Sequence, residues 1–367
     1  MDALSPEPAR RAALRPWFMI LLTAPLLLLI IGVTVFRWRA QREDAARLSD
    51  TFAQRQNKTL IHDALRVARS VSNLLTVAAS DARLIASATP ADRGRLFAAA
   101  QRVPGEVRAG WEPVLPVYNR MLVRTTGGEF SYYHQGDLNP RLRQVSKCST
   151  RDLCDRMTLE SAVARLPVGQ AMVGKALRWY TPKNDPAASG EGTLSVAFRG
   201  ATAVVVLGVD FQSFQPVLRL PTFPYQERGD LMEDYEAGNY IYLLDSDTDL
   251  LAHPRRWHIL GLDPATGQPR TPMKTDSDSG QHPLNFRAYE RGVLRPYFDR
   301  LIQKTFQAAE VDVFSAANLS GQIRVVSIAP IYLPAVFFDQ QAPFGYAGVG
   351  CALEHFREPK ERLVPYY

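Results

Sequence analysis

Two groups of side chains in this sequence have the residue types that bind metal ions. The aspartates of DSDTD, residues 245–249, alternate like the first ligands of a calcium loop, but Leu250 and Arg256 occupy its sixth and twelfth positions. Those positions need a glycine and a carboxylate. His253 and His258 lie five positions apart across a proline, whereas a zinc-binding helix has a spacing of four with a glutamate between. We therefore predict a plain turn at 245–249 and no metal ligands.

The three cysteines allow two interpretations. Cys148 and Cys154 enclose a polar loop, CSTRDLC, and Cys351 lies in an apolar, strand-like segment. In an oxidising compartment the first two can close a small disulfide loop, and the second ligand pair that structural zinc needs is missing. Cys148 and Cys154 are thus a candidate disulfide if the loop is extracytoplasmic, and two unpaired surface thiols otherwise.

Motifs of catalysis and nucleotide binding are missing from the sequence. It contains no G-x-S-x-G, no H-E-x-x-H and no P-loop, which are the patterns that place a nucleophile, a zinc pair or a phosphate cradle. The glycines of GYAGVG, residues 345–350, lie in a strand-like segment, and we interpret them as places where the backbone packs closely against a neighbouring helix. We predict no catalytic residues, no cofactor and no enzyme, with an anchored envelope hydrolase as the least favoured alternative.

Composition excludes some classes of protein. The sequence has 43 lysines and arginines against 37 aspartates and glutamates, and it contains no run of five like charges. Nucleic-acid binding requires a basic patch or stripe, so we predict none. With 46% hydrophobic residues among 367, the chain is not a disordered one and can bury one large or two small packed domains.

The most apolar segment is WFMILLTAPLLLLIIGVTVF, residues 17–36, which contains no charged residue. Twenty helical residues rise about 30 Å, the thickness of the hydrocarbon core of a bilayer. Arginines flank the segment, and Trp17 and Trp38 stand where interfacial aromatic residues are found. The run is longer than the apolar region of a cleaved signal peptide. We predict an uncleaved transmembrane anchor with residues 1–16 as a cytoplasmic stub, and hence a single-pass inner-membrane protein with its bulk in the periplasm.

The segment after the anchor has the pattern of a long helix. Residues 40–88 carry apolar side chains at spacings of three and four, with no glycine or proline among them. This pattern predicts a stalk, the spine of a domain, or both. A second helix is predicted from 91 to 101, after the start signal at Thr89-Pro90. Two further helices are predicted, at 157–165 and 285–309.

Beyond Trp111 the sequence alternates between strand patterns and turn residues. Gly127-Gly128 predicts a hairpin within residues 121–136. Consecutive strands without a helix between them pair antiparallel, so the predicted fold class is α+β. The other predicted strands lie at 193–200, 202–211, 311–316, 323–332 and 344–353, with a strand–turn–strand unit at 238–254.

Several of these segments resemble the double Cache sensors, a PAS-like extracytoplasmic fold of bacterial membrane receptors. YIYLLDSDTDLLAHP, residues 240–254, is similar to the opening hairpin of that family. IAPIYLP and FGYAGVGCAL are similar to its closing hairpin, and AVVVLGVDF is similar to the end of its membrane-distal module. The resemblance covers about residues 40–356. It implies two tandem PAS-like antiparallel-sheet modules, a distal one at 89–220 and a proximal one at 237–356. A proline-containing linker at 221–236 joins them, and a tail at 357–367 follows.

The resemblance also implies a ligand site in the distal module. A subgroup of the family that binds amino acids has an Arg-x-Trp-Tyr signature, a later tyrosine and an aspartate at the end of the last strand. The corresponding residues here are Arg178, Trp179, Tyr180 and Asp210, with Tyr132 as a further candidate, although the arginine directly precedes the tryptophan and no tyrosine lies between 180 and 210. In such a site the aromatic rings form the walls, the arginine pairs a carboxylate and the aspartate pairs an amine. Alternatively, the rings belong to the core and Arg178 and Asp210 are solvated at strand ends.

The resemblance implies a sensor of a small organic ligand that bears an amine or a carboxylate. Receptors of this family usually cross the membrane again and end in an output domain, whereas this sequence ends at LVPYY. The signal would therefore pass to a membrane signalling partner, through a homodimer, or to an output domain of a longer receptor. The alternative function is a structural or scaffold protein of the envelope that uses the same fold to hold another protein.

Overall fold

The longest element is a helix, α1, that runs from Ala9–Ser87. Ala88 and Thr89 follow it. A second helix, α2 (Pro90–Ala100), begins there, and the backbone N–H of Asp92 donates to the carbonyl of Thr89 at 3.0 Å. Both predicted helices are thereby observed, and the role of 40–88 as a stalk stays a prediction. A computed structural model describes residues 9–100, 115–128, 130–134, 137–138, 166–177, 193–220, 240–254, 310–314, 324–338 and 342–352.

Several predictions fall on other residues. The candidate disulfide Cys148–Cys154, the helices at 157–165 and 285–309, and the linker at 221–236 lie outside the described residues. Within the described residues of α1, no stretch is both long enough and apolar enough to cross a membrane. The anchor at 17–36 stays a prediction, since the side chains of residues 17–24 are not among those described.

One side of α1 is buried from Leu60 to Ala86. The buried positions recur at spacings of three and four, which place them on one face of a helix. Six of them are alanines, whose small side chains allow a sheet to approach the helix axis closely. The buried apolar residues are Leu60, Ala64, Val67, Ala68, Val71, Leu74, Leu75, Ala78, Ala79, Ala82, Ile85 and Ala86.

The first sheet contains six antiparallel strands in the order β3-β2-β1-β6-β5-β4. The predicted hairpin is confirmed: β1 pairs with β2, and Gly128 adopts a φ of +83° in the turn between them. The short strand β3 and the edge strand β4 were not predicted. The strands are β1 (Tyr118–Thr125), β2 (Phe130–His134), β3 (Asp137–Leu138), β4 (Ala171–Leu177), β5 (Thr193–Arg199) and β6 (Ala203–Asp210).

The second sheet contains five antiparallel strands in the order β8-β7-β11-β10-β9. The prediction of an α+β fold with antiparallel sheets is therefore confirmed. The described residues from Gln56 onward form one compact unit; the division into distal and proximal modules stays a prediction. The strands are β7 (Tyr240–Asp245), β8 (Leu250–Ala252), β9 (Glu310–Phe314), β10 (Arg324–Ile331) and β11 (Gly345–Ala352).

Helix α1 is bonded to both sheets within the unit 56–356. The Tyr118 hydroxyl of β1 donates to the Asp81 carboxylate at 2.7 Å, and the Ser72 hydroxyl donates to the carbonyl of Tyr332, just after β10, at 2.7 Å. The first sheet also contacts the turn that follows β10, because the N–H of Ala171 in β4 donates to the carbonyl of Phe337. The helix is thus a spine shared by the two sheets.

The glycines of β11 correct one sequence interpretation. A Cβ on Gly348 would lie 2.1 Å from Cζ of Tyr242, and one on Gly350 would lie 2.5 Å from Cε1 of Tyr240. These tyrosines stack with their ring centroids 5.6 Å apart. The close neighbours of both glycines are therefore the rings of β7 and not a helix, because a strand without a side chain leaves room for a ring to lie flat on its backbone.

We predict that Gly348→Ala destabilises the compact unit. The added methyl group would displace the ring of Tyr242, which is buried, and overpacking of this kind costs about 1–3 kcal/mol. Urea unfolding followed by circular dichroism measures the loss. Gly127→Ala is the matched control, since its nearest neighbour would be 3.8 Å away. Equal unfolding midpoints for the two variants would contradict the packing described for Tyr242.

Candidate functional site

The two faces of the first sheet differ in chemistry. Met121, Val123, Val205 and Leu207 belong to the large core cluster that includes the buried side of α1. On the opposite face Ala197 and Val206 form a separate small cluster. The remaining buried side chains of this outer face are polar or absent. We define the outer-face site by Arg120 of β1, Thr193 and Ser195 of β5, and Gly208 and Asp210 of β6.

Backbone pairing places these residues side by side across three strands. Arg120 pairs with Gly208, which pairs in turn with Ser195, and Asp210 pairs with Thr193. The exposed fractions of Arg120 and Asp210 are only 4% and 5%. Two residues of opposite charge are therefore buried on a sheet face where buried side chains would be expected to be apolar. Burying a charge is costly unless it is paired or hydrogen-bonded, so this arrangement needs a structural or functional reason.

A β-bulge creates the site. The register of β1 against β6 shifts between Tyr118 and Arg120, which leaves Asn119 as the extra residue. In a regular strand Tyr118 and Arg120 would point to the same face; the bulge instead lets Tyr118 bond to α1 while Arg120 lies on the outer face. Bulges commonly redirect side chains in this way.

Gly208 provides the space that Arg120 and Asn119 occupy. A Cβ at position 208 would lie 2.5 Å from Cγ and 2.9 Å from Nε of Arg120, and 2.6 Å from Oδ1 of Asn119. Both side chains therefore rest directly on the backbone of β6. The Asn119 Oδ1 atom is buried and makes no hydrogen bond, so a neutral acceptor lies beside the cation.

Asp210 serves as a helix cap at the end of β6. Its Oδ1 accepts from the N–H of Gln212 at 2.9 Å, capping the 3₁₀ turn Phe211–Phe214 that precedes a short helix, α3 (Gln215–Leu218). Its Oδ2 accepts from Nδ2 of Asn119 at 3.3 Å, and the same Nδ2 donates to the Thr193 hydroxyl at 2.6 Å. The carboxylate is thus engaged on both oxygens.

The structure describes little of the other ligand residues that the resemblance implied. Arg178, Trp179 and Tyr180 directly follow β4 but lie outside the described residues, and the side chain of Tyr132 is not among those described. The backbone of Tyr132 pairs with Leu122. Asp210 is the one of these predicted residues whose side chain the structure describes, and it lies on the outer face of the first sheet. The ring of the neighbouring Tyr133 packs on Phe97 of α2 instead, with centroids 6.4 Å apart.

Sequence reasoning missed Asn119, Arg120, Thr193, Ser195 and Gly208. Two signals were available: the polar pair Asn-Arg inside an otherwise apolar strand, YNRMLV, and a glycine inside the β-branched run VVVLGVD. In a regular strand two consecutive side chains point to opposite faces of the sheet. Two consecutive polar residues that both avoid the core therefore favour a bulge. A glycine in a strand indicates close approach of another group.

The acidic turn of the second sheet contains a further buried charged residue, Asp245. The predicted turn at 245–249 is confirmed: Oδ1 of Asp245 accepts from the N–H groups of Asp247 and Asp249, both at 2.9 Å, and Thr248 has a φ of 70°. Burial, with the charges of Asp249 and Asp247, raises the pKa of Asp245 to about 7. No group of three or more His, Cys, Asp or Glu is placed to hold a metal ion within the described part of the chain.

The chain is similar in fold to solved sensory domains. The ligand-binding domain of the Pseudomonas fluorescens chemoreceptor CtaA in complex with L-leucine is 12% identical, with 84% of this chain and 99% of that chain covered and a TM-score of 0.41. The corresponding domain of the Pseudomonas aeruginosa chemoreceptor PctB with L-Gln is 13% identical (81% and 91% covered, TM-score 0.42). The extracellular domain of the histidine kinase soHK1S-Z6 is 11% identical (84% and 98%, TM-score 0.47). No family model and no curated protein matches the sequence.

We predict that Asp245→Asn removes a pH dependence of stability. Because the pKa of Asp245 is raised from 3.8 to about 7 on folding, the folded chain keeps a proton that the unfolded chain loses. The resulting stability is fully present below about pH 4 and is lost as the pH rises to about 7, a change of up to about 4 kcal/mol. The asparagine stays neutral and can accept the same two N–H bonds.

The measurement is the urea unfolding midpoint at several values between about pH 4 and pH 8. The wild-type chain should lose stability across this range relative to Asp245→Asn. Asp247→Asn, at the exposed neighbouring position, should retain most of the pH dependence. Parallel curves for the wild type and Asp245→Asn would show that Asp245 does not titrate in this range.

Proposed function

We propose that the protein is a membrane-anchored, extracytoplasmic sensor that binds a small organic ligand at the outer-face site. The observation that carries this proposal is the buried polar group of Arg120, Thr193, Ser195 and Asp210 on one face of the first sheet. A face that only had to close a core would be filled with apolar side chains. Buried charged and hydroxyl groups gathered on one side of a sheet are typical of a small-molecule site.

The proposed location and output rest on the sequence and on α1. An apolar segment at 17–36 would anchor the chain in the inner membrane with its bulk in the periplasm. The exposed side chains of Leu28 and Phe36, 68% and 74% accessible, are consistent with a surface that meets lipid. The signal would pass to a partner membrane protein, a second copy or a further output domain. Retention of the full-length chain in carbonate-washed membranes, and its loss on removal of residues 1–39, tests the anchor.

A scaffold function is the second candidate. It would require a contiguous apolar surface for a partner protein. The turns next to the contact of Ala171 with Phe337 expose Val168 and Val336, which are 60% and 76% accessible. In the part of the chain that the structure describes, this pair provides far less area than the roughly 800 Å² per partner of a specific interface. The described residues therefore give ligand binding more support than a scaffold function.

We predict that the full-length chain is stabilised by a small organic compound. A ligand present at about 100 times its dissociation constant adds about 2.7 kcal/mol to the unfolding free energy. Thermal unfolding in the presence of amino acids, organic acids, amines and purines tests for it. Gly208→Ala should abolish the shift, because a methyl group there displaces Arg120 and Asn119. Gly127→Ala, in a turn with open space around it, should preserve it.

Two outcomes would contradict the proposal. One is the absence of a shift with every compound of the four classes. The other is a shift of equal size in the wild type and in Gly208→Ala, which would place the ligand elsewhere in the molecule.

A further inference from the structure

The charge that a ligand meets in the outer-face site depends on the contacts that Arg120 and Asp210 make with the rest of the protein. Among the described residues of that face, these two are the buried charged groups. The resemblance pairs an arginine with the carboxylate of an amino acid and an aspartate with its amine. The contacts within the site assign the aspartate a different use.

Asp210 is already bound to the protein through both carboxylate oxygens. The N–H of Gln212 holds Oδ1 at 2.9 Å, and Nδ2 of Asn119 holds Oδ2 at 3.3 Å. A ligand amine would have to compete with the cap of the 3₁₀ turn and with the Asn119 amide, which Thr193 holds in place at 2.6 Å. A cap of this kind contributes about 0.5–2 kcal/mol to stability. The carboxylate of Asp210 therefore has a structural role.

Arg120 is placed differently. Its aliphatic stem lies across Gly208, and its guanidinium keeps its charge at any physiological pH. The guanidinium has five N–H donors in a planar fork, enough to serve a neighbouring protein group and a bidentate carboxylate at the same time. The neutral Oδ1 of Asn119 near it can accept a hydrogen bond from a hydroxyl group of the ligand.

We infer that the outer-face site selects carboxylates and does not require an amine, with Arg120 as the anchor of the carboxylate and Asp210 as a structural cap. This inference rests on the proposed function and narrows its ligand class. It departs from the roles that the resemblance implied, in which Arg178 would pair the carboxylate and Asp210 the amine. Gly208 is then a positioning residue, since it fixes where the guanidinium lies.

Matched acids and amino acids test the inference on the full-length chain. Propionate, butyrate and succinate differ from alanine, 2-aminobutyrate and aspartate only in the 2-amino group. Isothermal titration calorimetry should show binding of at least one acid, with an affinity no lower than that of its amino counterpart. Propylamine and butylamine, which lack a carboxylate, should not bind.

Variants at the two charged positions separate their roles. Arg120→Gln should weaken binding of the acid by at least about tenfold, because a charge-assisted hydrogen bond is lost. Asp210→Asn should bind the acid no more weakly than the wild type does, since asparagine is an equally good cap and the substitution removes a negative charge near the ligand carboxylate. Arg124→Gln, at the exposed end of the same strand, is the matched control and should bind as the wild type does.

The inference fails if an amino acid binds and its matched acid does not, or if Asp210→Asn weakens binding as much as Arg120→Gln. It also fails if none of the acids binds. The proposed function then survives only if an amine, amino acid or purine still binds at the site. Should Arg120→Gln not fold, Arg120→Lys keeps the charge and loses the fork; a dissociation constant equal to that of the wild type would overturn the role of Arg120.

Discussion

The packing of one helix face against two sheets is the constraint on which the rest of the structure depends. The buried side of α1 from Leu60 to Ala86 lies in one core with residues of both sheets. Because α1 covers the core side of the first sheet, polar and charged residues can be accommodated only on its outer face. The hydrogen bond from Tyr118 to Asp81 fixes which side of β1 faces the helix.

The β-bulge at Asn119 brings polar side chains together on the outer face of the first sheet. It places Tyr118 toward the helix and the next two side chains on the outer face of the sheet. Gly208 makes room for them, and Asp210 closes the arrangement by capping the turn that leaves β6. Arg120 is thereby buried near the Asn119 amide oxygen, while the Asp210 carboxylate caps the turn. In the inference drawn above, this division of roles sets the charge that a ligand would meet.

Much of the fold was predictable because its strands follow simple rules. The hairpin at Gly127-Gly128 and the turn at 245–249 combine turn residues with flanking apolar, strand-forming residues, and both were found where predicted. Strand β4 was missed because Gly174 interrupts its pattern, and its pairing with β5 is irregular between Val173 and Ala176. An edge strand of this kind is specified by its neighbours more than by its own residues.

The site was less predictable than the fold. Asp210 was predicted as a ligand residue from a family resemblance, and that role stays a prediction; in the structure its carboxylate is engaged by Gln212 and Asn119. Arg120 was missed because its orientation depends on a bulge, which is a property of the pairing of β1 with β6 and not of either strand alone. The glycines of β11 illustrate the same limit, since the rings that cover them come from a strand about 100 residues earlier.

The most direct test of the account is hydrogen–deuterium exchange of the full-length chain with and without a bound organic acid. If the ligand rests on the outer face of the first sheet, the largest slowing of exchange will be in peptides that contain 118–125, 193–199 and 203–210. Slowing confined to the second sheet, in peptides that contain 240–245 and 345–352, would contradict the central claim.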